Sequence, residues 1–366
     1  MRLLLLLAIC LGLFACTDSG GNQDTENENG VGTQTNSPGK SVDKKTMQHV
    51  YEKIKTPHKY GVVLKHPDST KMIDSPSIFR WKNKWYMSYI VFDGRGYETW
   101  IAESDNLLHW ATKGRIMPFT DTGWDANQKA GYLALQDINW NGSYTPEPFA
   151  GKYWMSYLGG SDKGYEAGQL GVGMASTPDP SLPVGWDRQP QPVLSASDKD
   201  ARWYDNRTIF KSTVIRDDQQ RSGYPFLMFY NAAGDTAQYE SIAMAGSRDM
   251  VNWQRIGEKP VITRMHRGSI CGDAQIMKMD DLYIMFYFGA FWADRPSAFE
   301  RFACSYDLQN WTEWEGPSLI EPSEPYDETY AHKPMVIHWE GTVYHFYNAV
   351  GKEGRVIALA TSKPIQ

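Results

Sequence analysis

The 366-residue chain carries 37 Lys and Arg against 43 Asp and Glu, a formal net charge of −6 at pH 7. Its basic residues form no dense stripe, which argues against nucleic acid as a partner because phosphate binding needs a concentrated basic surface. Hydrophobic residues make up 41% of the chain, enough for a sizeable core. The 14 Trp and 21 Tyr favour carbohydrate as a partner, because flat rings stack on sugar C–H surfaces while their polar groups still hydrogen-bond.

The first residues are typical of a targeting segment. Arg2 precedes an apolar run from Leu3 to Phe14, which is too short to span a bilayer. The run Leu13-Phe14-Ala15-Cys16 resembles a bacterial lipobox, so we expect cleavage before Cys16 and lipid on its thiol. The alternative is an ordinary secretory signal with an incidental cysteine.

This interpretation divides the chain into a signal peptide at residues 1–15, a flexible tether at 16–45 and a folded domain at 46–366. The tether has almost no large apolar residue and cannot bury a core. A diacylated N-terminus supplies the multiple acyl chains that stable membrane anchoring requires. We therefore expect an outer-membrane lipoprotein of the cell envelope, facing either the periplasm or the medium.

One short strand pattern that closes on a tyrosine recurs five times along the folded domain. The copies are Lys84–Tyr89, Lys152–Tyr157, Pro225–Tyr230, Leu282–Tyr287 and Thr342–Tyr347. The closing tyrosines are 68, 73, 57 and 60 residues apart. Self-similarity at such a period indicates a repeat architecture.

Other short β-rich segments surround each copy. Aromatic and β-branched residues dominate them, Gly, Asp, Asn and Pro fill the turns, and no long stretch shows helical periodicity. The sequence therefore predicts an all-β fold, a five-bladed β-propeller of short antiparallel sheets. Residues 46–70 are expected to complete the last blade and close the ring. A sandwich or jelly roll would not explain five copies at this period.

Polar residues stand just before or within the first strand of each unit, where a propeller brings strand ends together around its axis. The candidates are Asp74 in unit one, Gln136 and Asp137 in unit two, Asp205 in unit three, Asp273 in unit four, and His332 and Lys333 in unit five. In unit two the first strand is placed near Leu135–Ile138. Asp74, Asp273 and His332 lie 15, 14 and 15 residues before their closing tyrosines, so we expect them on one rim.

Two carboxyl groups facing each other across a sugar-sized pocket can hydrolyse a glycosidic bond. We expect Asp74 to act as the general base and Asp273 as the general acid, with inversion of configuration. A third carboxylate, Asp137 or Asp205, would orient the pair or tune its pKa. For any single Asp the alternative is a turn residue that hydrogen-bonds nearby backbone.

Several further residues are candidates for binding substrate. Arg207 and Lys333 could bind hydroxyls, a carboxylate or phosphate, or form salt bridges between blades. His332 could contact substrate, a central ion through water, or a neighbouring residue. The other candidates are Glu98, Glu166, Gln128, Arg95 and the stacking platforms Trp100, Trp124, Trp203 and Trp292.

Metal and redox chemistry receive little support from the sequence. No Cys/His spacing suggests zinc, and no cofactor is required, although Ca²⁺ in the central channel stays open. Cys271 and Cys304 remain once Cys10 and Cys16 are assigned to the signal and the lipid anchor. They are either a disulfide, which an exported chain permits, or two buried free thiols.

The sequence resembles the five-bladed propeller glycosidases around glycoside hydrolase families 43, 32, 117 and 130. Asp74-Ser75-Pro76-Ser77-Ile78 is similar to the start of family 43, where the matching Asp is the general base. The runs 124–132, 286–292 and 322–327 resemble a group of envelope glycosidases from gut Bacteroidota. Two departures stand out: Asp273 replaces the usual acidic Glu, and Lys211-Ser212-Thr213 occupies the strand that usually carries the modulating Asp.

The resemblance implies a hydrolase that removes a terminal sugar from an oligosaccharide or polysaccharide. Two alternatives remain. A glycoside phosphorylase, as in part of family 130, would need cations such as Arg207 and Lys333 to converge on phosphate. A surface glycan-binding propeller without catalysis would be compatible with the altered acid position.

Overall fold

The computed structural model describes residue 39 and residues 41–365, so the expected signal peptide, Cys16 and most of the tether lie outside the described residues. The first elements are a helix, α1 (Lys44–Ile54), and a strand, β1 (His58–Leu64). Asp43 caps the helix by accepting a hydrogen bond from the Thr46 amide, as an N-cap carboxylate does. The helix was not expected, and the packed chain begins before residue 46, since Val42 is already buried.

The remaining strands form five consecutive antiparallel groups, which we number as blades one to five. Blade one contains β2 (Met72–Trp81), β3 (Lys84–Phe92), β4 (Tyr97–Ser104) and β5 (Ala111–Met117). Blade two contains β6 (Gln128–Ala134), β7 (Tyr153–Gly160) and β8 (Leu170–Thr177), with the short strands β9 (Asp187–Arg188) and β10 (Leu194–Ser195) sharing its outer edge.

Blades three to five repeat the pattern. Blade three contains β11 (Thr208–Arg216), β12 (Phe226–Ala233), β13 (Glu240–Ser247) and β14 (Trp253–Ile256). Blade four contains β15 (Ile270–Met279), β16 (Leu282–Trp292), β17 (Arg295–Ser305) and β18 (Thr312–Glu313). Blade five contains β19 (Tyr330–Trp339), β20 (Thr342–Gly351) and β21 (Gly354–Thr361).

The blades are arranged in a closed ring. The first strands contact one another in the cyclic order β2, β6, β11, β15, β19 and back to β2. The N-terminal strand β1 pairs antiparallel with β21 and so supplies the outer strand of blade five. The prediction of an all-β propeller is confirmed, and the strand that closes the ring falls within the residues expected to do so.

The tyrosines that mark the sequence repeat have a common structural role. In four blades the tyrosine hydroxyl donates to a buried or half-buried carboxylate that also pairs with a cation. These sets are Tyr157–Asp125–Arg188, Tyr230–Asp205–Arg255, Tyr287–Glu313–Arg264 and Tyr347–Asp327–Lys59. In blade one Tyr89 instead bonds the hydroxyl of Thr112 at 2.9 Å. The repeated tyrosine therefore forms a polar clamp inside four of the five blades, in addition to contributing to the apolar core.

Residues 135–152, between β6 and β7, form a segment across one end of the axis that we call the cap segment. Its backbone bonds to three other blades, through Arg80 N to Tyr144 O at 2.9 Å, Leu135 N to Val214 O at 3.2 Å and Trp140 N to Lys278 O at 2.8 Å. The Tyr144 hydroxyl reaches blade five, where it accepts from the His338 amide at 2.8 Å. The cap segment thus closes this end of the ring.

Cys271 and Cys304 are buried free thiols, which decides between the two states left open by the sequence. Burial raises the pKa of both thiols, as expected for structural cysteines in apolar surroundings. Within residues 41–365, no helix has the length and apolar character needed to cross a bilayer.

Candidate active site

The end of the ring opposite the cap segment, which we call the site end, is shaped by irregularities in the first strands. The strands β2, β11, β15 and β19 each carry a β-bulge near their start. Ser75, Asp273 and Lys333 have φ of +48°, +56° and +64° at three of them. Bulges re-aim side chains and are common beside active sites. They direct residues of separate blades toward the axis.

Asp74 lies at the centre of a double ion pair at the site end. Its Oδ2 accepts from Lys333 Nζ at 3.1 Å and from Arg355 Nη1 at 2.5 Å. Its Oδ1 accepts from the Ser75 amide at 2.7 Å. Burial alone would raise the pKa of Asp74, but Lys333 and Arg355 outweigh it and hold the pKa well below its ordinary value. Asp74 is therefore a permanently ionised carboxylate.

Asp273 occupies the same end with different partners. Its Oδ1 accepts from Asn231 Nδ2 at 2.8 Å, and its amide donates to Asn231 Oδ1 at 2.8 Å. Its Oδ2 lies 3.4 Å from Lys211 Nζ, which also stands over the Tyr132 ring. Burial lowers the pKa of Lys211, and the charge of Asp273 offsets this only in part.

The two aspartates predicted from the sequence share one cation. Despite burial, Asp74 and then Asp273 raise the pKa of Lys333 well above its ordinary value. The two carboxylates therefore lie at the same end of the axis and within electrostatic reach of one ammonium group.

His332 is buried beside this ion-pair group and is neutral. Its Nδ1 lies 3.1 Å from the Asn348 carbonyl oxygen, which can only accept, so Nδ1 carries the proton. Burial, together with the charge of Lys333, lowers the pKa of His332 to about 3. Its ring packs against Phe288 and Tyr330.

A loop of blade two, residues 161–169 between β7 and β8, brings Glu166 to the site. Glu166 Oε1 accepts from the Tyr97 hydroxyl at 3.2 Å, and the neighbouring Tyr165 hydroxyl accepts from Arg355 Nη1 at 3.1 Å. Burial raises the pKa of Glu166, while Lys333 opposes the shift. Glu166, expected from the sequence only as a binding residue, is therefore a half-buried carboxyl beside the ion pairs.

Gln128 holds that loop in place. Its side-chain amide donates to the carbonyl oxygens of Asp162 at 3.0 Å and Gly164 at 2.7 Å. Arg95 contributes through its own carbonyl, which accepts from the Gly164 amide at 2.8 Å. Both were expected as candidates for substrate contact, and the structure places them under the loop that carries Glu166.

Glu240 was missed by the sequence reasoning. It begins β13, the third strand of blade three, and is opposite Ala233, three residues after the closing Tyr230. The same register position holds Tyr97 in blade one and Arg355 in blade five, both already in the site. Its position as the first residue of a blade's third strand could have indicated a site residue. The sequence analysis predicted that only the first strands line the site.

Glu240 is a carboxyl group on which burial and like charges act in the same direction. Burial, then the charges of Glu166 and Asp273, raise the pKa of Glu240 to about 8. A carboxyl group with this pKa holds its proton at neutral pH. It is therefore able to donate that proton to a leaving group.

Two predicted site residues, Gln136 and Asp137, lie elsewhere. The first strand of blade two is Gln128–Ala134, not the segment near 135–138. Gln136 and Asp137 belong to the cap segment, where both oxygens of Asp137 accept bonds from Asn139 and Ser143. The placement on the common rim was wrong because the inserted segment was taken for a strand.

Asp205 is a structural residue by its contacts. It is fully buried, and its Oδ2 accepts from Tyr230 at 2.8 Å and from Arg255 at 2.5 Å. Its Oδ1 accepts from the Arg202 amide at 2.6 Å. These bonds leave no carboxylate edge facing a substrate, so the structure gives it the clamp role in blade three.

The remaining binding candidates separate into packed and exposed side chains. Glu98 is buried and accepts from Arg115 and the Phe119 amide. Three tryptophans are packed: Trp100 against His66, Trp124 against Tyr157, and Trp292 against Phe299. By contrast, Trp203 is 44% exposed and Arg207 is exposed.

The axial channel does not fit the Ca²⁺ that the sequence left open. Its lining includes Lys211, Gln136 and Gln275 but no carboxylate, whereas Ca²⁺ takes six to eight oxygen ligands rich in carboxylate. Both polar atoms of the Gln275 amide are bonded to Val336 backbone. Among residues 41–365, no group of three or more His, Cys, Asp or Glu could hold a metal ion.

Comparison with known proteins identifies the family through solved structures. No family model matches the sequence, and no curated protein matches it. The solved complex of BT0996 and RGII contains a protein 48% identical, with a TM-score of 0.87 over 89% of this chain and 97% of that one. A solved glycoside hydrolase is 47% identical, with the same TM-score and coverage.

The chain belongs to the glycoside hydrolases. It is an enzyme that cleaves glycosidic bonds of a glycan, as the resemblance drawn from its sequence implied. A thermostable family-43 glycoside hydrolase is 16% identical, with a TM-score of 0.56 over 80% of this chain and 94% of that one. At that identity the likeness extends to the fold alone.

Proposed function

We propose that this glycoside hydrolase uses Glu240 as its general acid and Glu166 as its general base. The observation that carries the proposal is the pKa of Glu240, which burial and the charges of Glu166 and Asp273 raise to about 8. General acids of glycosidases are carboxyl groups that their surroundings keep protonated at the working pH.

Glu166 is the proposed base because neighbouring groups favour its ionised form. It accepts a hydrogen bond from Tyr97, and Lys333 and Arg355 oppose the rise in its pKa. Among the described residues the Glu240 carboxyl accepts no such hydrogen bond, and the charges of Lys333 and Arg207 offset the rise in its pKa only in part. When surroundings push the pKa values of two carboxyl groups apart, the group that keeps its proton serves as the acid and the other as the base.

Asp74 and Asp273 then act as positioning residues. A carboxylate whose pKa is held very low by two cations is a weak proton acceptor, because general-base efficiency follows basicity. Asp74 instead fixes Lys333 and Arg355, and Asp273 fixes Lys211. The proposal thus replaces the pair Asp74 and Asp273 expected from the sequence with Glu166 and Glu240.

The substrate proposed is a glycan from which a terminal sugar is removed with inversion of configuration. A relative 48% identical was solved in a complex with RGII, which supports a glycan of that kind here. In an inverting reaction Glu166 activates water, and in a retaining one the same carboxylate would attack the sugar. Proton NMR of the first anomer released distinguishes the two, and retention would contradict this part of the proposal.

Substitution of the two glutamates tests the assignment. With an RGII-derived oligosaccharide as substrate, we expect Glu240→Gln and Glu166→Gln each to lower kcat by about 10²- to 10⁴-fold at unchanged Tm. Glu315→Gln is the matched control, because its side chain is 84% exposed. Full activity in Glu240→Gln together with loss in Asp273→Asn would overturn the proposal.

We further propose that Cys16 carries lipid and anchors the enzyme in the outer membrane. The lipobox-like run 13–16 supports this. Cys16→Ala should move the protein from the membrane to the soluble fraction and abolish labelling with radioactive palmitate. Membrane retention of the variant would contradict the anchor.

A further inference from the structure

Arg207 lies one strand away from the proposed acid, Glu240, and no other described side chain binds it. It directly precedes β11, and its amide donates to the Ala233 carbonyl at 3.1 Å. Ala233 in turn pairs with Glu240 across β12 and β13. The Arg207 charge lowers the pKa of Glu240 against the effect of burial. Among the described residues, its guanidinium has no hydrogen-bond or ion-pair partner, and it is exposed.

The other cations of the site are already paired. Lys333 and Arg355 both contact Asp74, and Lys211 contacts Asp273. Among the described residues, Arg207 is therefore the cation of this region that no carboxylate of the chain neutralises. A guanidinium without a carboxylate partner is available to an anionic ligand.

Trp203 presents an aromatic surface close to Arg207 in the chain. Its indole is 44% exposed, yet the ring is fixed because Nε1 donates to the Glu258 carbonyl at 3.1 Å. Its own carbonyl lies against Gly234, where an added Cβ would meet it at 1.9 Å. Gly234 follows β12 at the site end. Trp203 and Arg207 thus present an exposed ring and a guanidinium without a partner from one short segment at this end of blade three, a combination that suits a sugar carrying a carboxylate.

We propose that Arg207 and Trp203 form a subsite for a uronate residue on the leaving-group side of the scissile bond. The inference rests on the proposed function, since Glu240 protonates the leaving oxygen and only strand β12 separates Arg207 from Glu240. Trp203 stacks on the sugar ring, and Arg207 binds its carboxylate through paired N–H donors. The enzyme therefore selects oligosaccharides in which an acidic sugar follows the sugar that is released.

The test compares uronate-bearing plant oligosaccharides with the same oligosaccharides after carbodiimide–borohydride reduction of their carboxyl groups. Wild type should prefer the uronate form by about 10- to 100-fold in kcat/KM, the loss expected when a charged hydrogen-bond pair is removed. In Arg207→Ala this preference should disappear, and in Arg207→Lys it should persist in part. Trp203→Ala should raise KM for both forms alike.

Arg248→Ala is the matched control, because it removes the same charge from an exposed side chain whose bond is to the Gly223 carbonyl. It should keep the wild-type preference. A wild-type enzyme that cleaves both forms equally, or an Arg207→Ala variant that retains the preference, would overturn the subsite. Absence of cleavage of any glycan by wild type would instead overturn the proposed function.

Discussion

The two glutamates at the site differ from the two aspartates in what surrounds their carboxyl groups. Asp74 forms ion pairs with Lys333 and Arg355, and Asp273 contacts the Asn231 amide and the Lys211 amine. Glu240 meets neighbouring negative charge instead, which raises its pKa to about 8. A carboxyl group that keeps its proton at neutral pH can act as an acid beside carboxylates that are already ionised.

The pH profile should report this proton. Glu240 must be protonated to act as an acid, so kcat/KM is expected to be full below its pKa and to fall as pH rises through about 8. Initial rates between pH 5 and 10 measure the alkaline limb. Glu240→Gln should lack this limb in its residual activity, whereas an unchanged limb in that variant would assign the titration to another group.

Asp205 gives a prediction about stability. Asp205→Ala leaves the buried guanidinium of Arg255 without its fully buried partner, which should lower the free energy of unfolding by about 3 kcal/mol. Asp198→Ala is the control, because Asp198 pairs with the same guanidinium but is 38% exposed, and should cost at most about 1 kcal/mol. Thermal and urea unfolding measure both. A stable but inactive Asp205→Ala variant would argue for a catalytic role instead.

At the level of single residues, the sequence predicts part of the candidate active site. Near-equal spacing from the closing tyrosines correctly placed Asp74, Asp273 and His332 at one end, because residues in the same register on equivalent strands lie at the same height along the axis. Glu240 could not be found that way, since it enters from a third strand. Its importance comes from burial and neighbouring charge, which are properties of the assembled ring.

Among the secondary-structure elements, the loop at 161–169 decides where Glu166 stands. Gln128→Leu removes both side-chain bonds to Asp162 and Gly164, so we expect kcat to fall by about 10- to 100-fold because misplacement of a catalytic group by about 1 Å is costly. Gln254→Leu on an exposed edge is the control. Steady-state kinetics and Tm measure the effect, and wild-type kcat in Gln128→Leu would show that the loop holds without it.

Element boundaries were predictable where the repeat was undisturbed. The first strands β2 (Met72–Trp81) and β19 (Tyr330–Trp339) contain Asp74 and His332, the residues predicted just before or within them. Blade two differs because the cap segment is inserted between its first two strands, which lengthens the interval between Tyr89 and Tyr157. Helix α1 was missed because it is a single short amphipathic segment, whose packing against the ring fixes it more than its own propensity does.

The molecule as a whole depends on a seam between its first and last strands. Deleting residues 1–64 removes β1 and the ladder with β21, which leaves blade five with an open edge and removes Lys59 from Asp327. We expect this variant to lose its cooperative thermal transition, and the peptide 41–66 added in trans to restore it. Deletion of residues 1–38 keeps the seam and should unfold like the full chain. A cooperative transition at the wild-type Tm in the longer deletion would contradict the role of the seam.

Ring architecture was the part that the sequence predicted best. Five tyrosine-terminated strands at intervals of 57 to 73 residues leave few alternatives to radial repetition, since each copy needs the next to cover its apolar face. The clamps of Tyr157, Tyr230, Tyr287 and Tyr347 show why the tyrosine itself recurs. Asp125, Asp205 and Asp327 each stand three residues before the first strand of their blade, whereas Glu313 belongs to β18. The three aspartates lie 32, 25 and 20 residues before their tyrosines, so the spacing of the tyrosines alone does not locate them.

The cap segment also limits how a glycan moves during turnover. Because it seals one mouth of the ring through bonds to the neighbouring blades, a polymer has no route by which to thread from one face of the disc to the other. The end of a glycan chain must enter and leave through the one open face of the ring. The released sugar leaves through the same opening and therefore competes with the next glycan end for entry.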